Sequence, residues 1–155
     1  MPDELTVQQV LARYARAHDH RDGAAMAELF TTEGRVEIFY RDELAPLGIL
    51  AGHEAIANAV LHMMKPHPPR GWSHFAADGL LIEIDGDHAT VDAQFIVFNI
   101  LGAEQPEAGW PKDARGAQGT ITPIESGYHR ENLVRVRGTW LIESLRITHH
   151  LPLAF

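Results

Sequence analysis

The chain contains no cysteine. A disulfide framework and a thiolate metal site are therefore both excluded. It has no apolar stretch near the ~20 residues that cross a bilayer. The first residues, MPDELTVQQ, lack a basic region followed by an apolar run, so a secretory leader is not expected. A cytoplasmic location is the expectation, with no membrane partner. Clustered Lys and Arg are missing as well, and the formal net charge is -8. That balance argues against a nucleic-acid partner. What the sequence does contain is ordinary for a globular domain. Apolar residues make up 45% and charged residues 22% of 155 positions, enough for one core in one domain spanning 1–155.

The stretch that organises the chain runs from Tyr14 to Phe30, YARAHDHRDGAAMAELF. It reads as the end of one helix, a charged elbow and the start of another. Val7, Val10, Leu11, Tyr14, Ala17 and His18 fall at helical intervals, after Thr6 and Gln9 at capping-box spacing. Tyr14 and His18, four apart, are neighbours on that face. Asp22 precedes a short helix as its N-cap. Apolar faces around His18, Asp19, His20 and Asp22 form the kind of setting in which pKa values shift. The same residues could equally make a helix cap and a solvated corner. A metal reading of His18, His20 and His74 has unconvincing geometry, because His-x-His sits on an elbow rather than a strand. No metal and no cofactor are expected.

Beyond the elbow, Arg35 to Tyr40 alternates as a strand, and Arg41 to Leu50 is loop or a short edge strand. A third helix covers roughly Glu54 to Met64 and must end before Pro66. From Trp72 the period becomes two. Trp72, His74, Ala76, Leu80, Ile82 and Ile84 share one parity up to the turn at Asp85-Gly86-Asp87. The return strand puts Ala89, Val91, Ala93, Phe95 and Val97 on one face. Ile96, Phe98 and Ile100 make its other face apolar. A strand apolar on both sides is covered on both sides, and another subunit is the expected second cover. Gly102 to Pro123, with Trp110 in its middle, reads as a lid or a floppy insert. A final hairpin turns at Arg137-Gly138, with Tyr128, Val134, Trp140 and Ile142 inward. The apolar tail ending at Phe155 is expected to dock on a neighbour. Three helices followed by long antiparallel strands give an α+β domain. Its curved sheet would leave a hollow lined by Tyr14, Met26, Phe30, Trp72, Phe95 and Trp140, suited to a small apolar molecule.

Several pieces in order carry a resemblance. They are Tyr14-x3-His18-Asp19-x2-Asp22, Leu29-Phe30 before Thr31-Thr32-Glu33-Gly34, and Gly52-His53-Glu54-x-Ile56. Further on come Trp72-Ser73-His74, Asp85-Gly86-Asp87-x-Ala89-x-Val91, and Gly127-Tyr128 through Gly138-x-Trp140. Together the chain resembles the SnoaL-like branch of the superfamily that includes ketosteroid isomerase, nuclear transport factor 2, scytalone dehydratase and hexachlorocyclohexane dehydrochlorinase. The resemblance implies a cone-shaped domain, a curved, mostly antiparallel sheet wrapped around three N-terminal helices in a cystatin-like α+β barrel. In the dehydratase and dehydrochlorinase, an elbow Asp orients a His at the start of the strand after the third helix. Asp19 and His74 take those places, so the resemblance implies them as a catalytic dyad. Tyr14, Phe30, Trp72 and Phe95 of the hollow are the expected substrate-binding residues, and the resemblance adds His18, Tyr128 and Arg135 to them. Arg135 is the nearest match to an Arg on the dehydrochlorinase's penultimate strand, and Tyr14 or Tyr128 could supply the tyrosine that His18 replaces. The implied activity is a cofactor-free lyase of dehydratase type, or an isomerase, acting by His/Asp proton transfer on a cyclic, largely apolar molecule. The competing expectation is a non-catalytic binding or assembly domain of the same fold, which also serves as the small beta subunit of ring-hydroxylating dioxygenases. Relatives of this kind form dimers and trimers, so a homo-oligomer is expected.

Overall fold

The computed structural model describes residues 1–154; Phe155, the expected end of a docked tail, lies outside the described residues. Helix α1 (Asp3–His20) presents Val7, Val10, Leu11, Tyr14 and Ala17 to the interior. It begins one turn earlier than the capping-box spacing predicts. Thr6 Oγ1 donates to the Asp3 carbonyl at 2.9 Å, so Thr6 sits inside the first turn and does not cap it. Arg21, at φ 55°, closes α1 in the left-handed conformation. Asp22 then accepts the Ala25 N–H at 3.0 Å and starts α2 (Gly23–Glu28), as its position implies.

Strand β1 (Phe30–Tyr40) follows directly, and the short edge strand β2 (Gly48–Ala51) pairs with it. Helix α3 (His53–Asn58) continues into a π-helical turn, Ala59–Met63, and stops before Pro66. Four long strands complete the chain: β3 (Gly71–Asp85), β4 (His88–Gly102), β5 (Gly119–Val136) and β6 (Thr139–His149). The sheet order is β2-β1-β6-β5-β4-β3, antiparallel except where β1 runs parallel to β6. The result is an α+β fold of three helices and a curved, unclosed sheet. The β5–β6 turn uses Arg137 at φ 52° and Gly138 at φ 81°, the double positive φ of a tight two-residue hairpin.

Two expectations change. Gly119 to Pro123 belong to β5, so the irregular stretch shrinks to 103–118, and Trp110 within it is exposed. More important is β3. Its pairing with β4 shifts between Asp78 and Leu81, where Gly79 has φ 58°. This is a β-bulge, and the extra residue reverses which parity faces inward. Leu80, Ile82 and Ile84 pack against the core after the bulge. Before it, the inward residues are Ser73 and Phe75. Carrying the parity of Leu80 back to Trp72 and His74 assigns those two to the wrong face.

Candidate functional site

Asp19 is the last buried residue of α1, only 8% exposed. Its two carboxylate oxygens accept the Phe75 backbone N–H at 2.9 and 3.2 Å. Ser73 Oγ donates to it at 3.4 Å, and His18 Nδ1 lies 3.1 Å away. Arg21 Nη1 donates to Ser73 Oγ at 3.1 Å and to the His18 carbonyl at 2.7 Å. Burial weakens the Arg21 hold on its proton, while the charges of Asp19 and Glu125 strengthen it. Asp19 is thus an anchor that pins the C-terminal end of α1 to the first residues of β3. His67 Nε2 donates to the Asp19 carbonyl at 2.6 Å and ties down the same corner.

His74 stands between Ser73 and Phe75, exposed on the outer face of the sheet. It makes no hydrogen bond to Asp19, and the expected Asp19–His74 dyad does not form. Alternate residues of a strand face opposite sides, so the two partners of Asp19 on β3 exclude the residue between them. Trp72 lies on the outer face for the same reason. It packs against His67, stacked at 4.7 Å, and edge-on against His20 at 4.9 Å. Tyr128 is also outward and 49% exposed, edge-on to His150 at 4.9 Å. Arg135 is engaged elsewhere. It donates to Asp3 at 2.7 Å and Asp87 at 3.0 Å, and its guanidinium covers Trp140 at 4.9 Å. That group clamps the start of α1 to the β3–β4 and β5–β6 hairpins.

The remaining expected residues do come inside. Tyr14, Phe30 and Phe95 are buried, and His18 lies 5.1 Å from the Phe75 ring. The rings of Tyr14, His18 and Phe95 pack around Phe75. Phe75 stacks on Phe95 at 5.1 Å, and Tyr14 meets Phe75 edge-on at 5.4 Å.

At the centre of these rings is a pair absent from the sequence expectations. His129 and Glu131 are adjacent inward positions of β5, 3% and 1% exposed. His129 Nδ1 is 2.9 Å from Glu131 Oε1. The His129 ring lies 5.0 Å from Tyr14, 5.1 Å from Phe75 and 4.9 Å from Phe95. Glu131 Oε2 is buried without a hydrogen-bond partner among the described residues. A buried carboxylate half satisfied is costly, and folded proteins concentrate such groups at functional sites. Burial first, then Glu131 and Glu125, raises the Tyr14 pKa well above the usual phenol range, so its hydroxyl keeps its proton. His149, edge-on to Phe95 at 5.8 Å, is lowered to about 4 by burial, then by His129 and His150. It is neutral at pH 7.

Chemically this arrangement is a carboxylate–imidazole pair. Glu131 can hold the Nδ1 proton and leave Nε2 with a free lone pair, the tautomer a base requires. The protonated Tyr14 hydroxyl beside it is a donor for an oxygen. Among the described residues no group of His, Asp and Glu side chains has the arrangement of a metal site. No helix there is long and apolar enough to cross a membrane.

The model of the SnoaL-like domain family matches residues 1–146. No curated protein matches the chain. Among solved structures, a point variant of Rv3472 from Mycobacterium tuberculosis, a protein of unknown function, is 24% identical. The match covers 95% of this chain and 71% of that one, with a TM-score of 0.67. A Novosphingobium aromaticivorans protein, provisionally assigned as the beta subunit of an aromatic-ring-hydroxylating dioxygenase, is 15% identical over 96% of this chain and 90% of its own, with a TM-score of 0.70. ActVI-ORFA of Streptomyces coelicolor is 17% identical over 94% and 96%, with a TM-score of 0.67. At these identities the likeness is one of fold. With the family match spanning nearly its whole length, the chain belongs to the SnoaL-like domain family.

Proposed function

We propose that this SnoaL-like protein transfers a proton on a small, largely apolar cyclic molecule, as a cofactor-free lyase of dehydratase type or an isomerase. The observation that carries the reading is the buried His129–Glu131 pair enclosed by Tyr14, Phe75 and Phe95. His129 Nε2 takes the proton from carbon. Glu131 fixes the tautomer and balances the imidazolium. Tyr14 donates to the oxygen that gains charge. A positioned His contributes typically ~10²–10⁴-fold. Asp19 holds the wall in place, and His74 has no part in the reaction. The ring faces around the pair suit an apolar substrate, and entry requires those rings to part.

A second reading has its own support: the closed cluster of rings suits a domain that binds or assembles without chemistry. One experiment separates the two. A panel of cyclic ketones in D₂O, followed by proton NMR, reports exchange of the acidic C–H. We expect exchange with at least one ketone. His129→Gln, which can still hydrogen-bond Glu131, should slow it by roughly 10²–10⁴-fold, and His74→Ala should leave it unchanged. Shifts of the aromatic resonances without exchange would support the binding reading instead. A homo-oligomer, dimer or trimer, is part of the proposal and rests on the apolar outer face of β4 and β5.

A further inference from the structure

We propose that His18 is a second acid–base group of the proton-transfer site, the one that protonates a departing hydroxyl, and that the substrate is a cyclic β-hydroxy ketone. The inference rests on the proton-transfer reading and selects its lyase arm. Asp19 holds an imidazole as well as a backbone: its Oδ1 lies 3.1 Å from His18 Nδ1 while it accepts the Phe75 N–H at 2.9 Å. The His18 carbonyl accepts the Arg21 backbone N–H at 3.1 Å and Arg21 Nη1 at 2.7 Å, so main chain and ring are both fixed. With Nδ1 committed to a carboxylate, Nε2 is the nitrogen left to act on a ligand. The result is a second carboxylate–imidazole pair, built on α1 where His129–Glu131 is built on β5.

The two imidazoles flank one ring. Each has its centroid 5.1 Å from that of Phe75. Tyr14 lies one turn before His18 on the same helix face and reaches the His129 ring at 5.0 Å. A six-membered ring that takes the place of the Phe75 side chain against Phe95 therefore borders both imidazoles and the phenol. The His18 side chain is 12% exposed, against 3% for His129, so it stands on the solvent side of the cluster, where a water formed can leave. Moving a proton between two carbons needs one base. Expelling a hydroxyl needs a base and an acid, because unprotonated hydroxide is a poor leaving group. His129 Nε2 takes the proton from the carbon α to the carbonyl, and the electron pair moves onto the oxygen that Tyr14 holds. As the carbonyl re-forms, the pair closes a C=C bond to the β carbon and the β C–O bond breaks. The hydroxyl leaves as water, carrying the Nε2 proton of imidazolium His18. Both imidazoles then recover their starting protonation through solvent.

The test uses the full chain, with α-proton exchange and elimination followed together by proton NMR in D₂O. The probes are 3-hydroxycyclohexanone and 3-acetoxycyclohexanone, which share a ring and differ in whether the leaving group needs a proton. We expect the native chain to convert both to cyclohexenone. His18→Gln should slow loss of the hydroxyl by roughly 10²–10⁴-fold and loss of acetate by no more than about tenfold. A purely structural His18 would depress both alike, and that equal loss overturns the proposal, as does native-rate loss of the hydroxyl in the variant. Exchange by the native chain without elimination of the hydroxyl overturns this inference alone. No exchange at all removes the proton-transfer reading and this inference with it. If the variant failed to fold, the native chain would decide. Hydroxyl and acetate should leave it at rates within about tenfold of each other, and an acetate advantage as large as in buffer alone overturns the proposal.

Discussion

Three carboxyl groups between α1 and the sheet have different roles. Asp19 is satisfied by a backbone N–H and a serine hydroxyl, which makes it structural cement. Asp3 is held by Arg135 at the far end of α1. Glu131 alone is fully buried, bound by one histidine, and left with a free oxygen. The chemistry follows the group whose hydrogen bonds are unfinished. His149 gives this region a measurable pH signature. Its pKa falls from 6.5 unfolded to about 4 folded, so between those values the unfolded chain binds the extra proton. Stability is therefore full above pH 6.5, declines as the pH drops towards 4, and levels off below. His149→Gln should flatten that part of the urea-denaturation midpoint against pH. An unchanged slope in the variant would show that other groups set the acid response.

Among the secondary elements, the bulged β3 and the two polar inward residues of β5 decide where the site sits. The bulge lets one strand present Ser73 and Phe75 to α1 and still present Leu80, Ile82 and Ile84 to the core. Gly79 makes it possible, because φ near 58° is unfavourable for a residue with a Cβ. Gly127 has a different duty. A Cβ there would run into the Thr148 carbonyl and the Phe95 ring, so β5 and β6 close tightly under the aromatic cluster only with glycine. Gly79→Ala is expected to cost about 1–2 kcal/mol, since the Gln94 side chain that it meets can move. Gly127→Ala should cost more, because backbone cannot yield as a side-chain tip does. Urea midpoints at unchanged slope would measure both, and the reverse ranking would contradict this account of the two glycines.

Across the molecule as a whole, α1 packs on the inner face of the sheet, while among the described residues the outer face of β3, β4 and β5 carries exposed apolar side chains. Cross-strand neighbours Ile100 and Ile121 lie on that outer face with Phe98, Pro123 and Ile96. Ile96 is 42% exposed and Ile121 69%. Trp72 and His74 extend the patch onto β3, opposite Ile100 and Phe98. Contiguous apolar area of this kind marks interaction surfaces. Light scattering at micromolar concentration should report a dimer or trimer, and Ile96→Lys should lower the mass to that of one chain. A native monomer at that concentration would remove the proposed assembly.

Elements that depend on local rules were legible in the amino-acid order alone. The Asp22 cap, the proline stop after the third helix, the Asp85-Gly86-Asp87 and Arg137-Gly138 turns and the long strands between them follow from capping, ring closure and backbone φ. The family pieces placed these elements in the right architecture. Which way each strand residue faces had to await the assembled sheet, because parity is set by pairing with distant residues. A single inserted residue near Gly79 reversed it for Trp72 and His74. On β5 the signal itself misleads. Apolar counting favours Tyr128 and Val134 as inward, yet the inner face carries His129 and Glu131 between Gly127 and Leu133. A buried ionisable pair is invisible to a hydrophobic pattern, since its burial is stabilised by a partner that only the folded sheet brings within 2.9 Å.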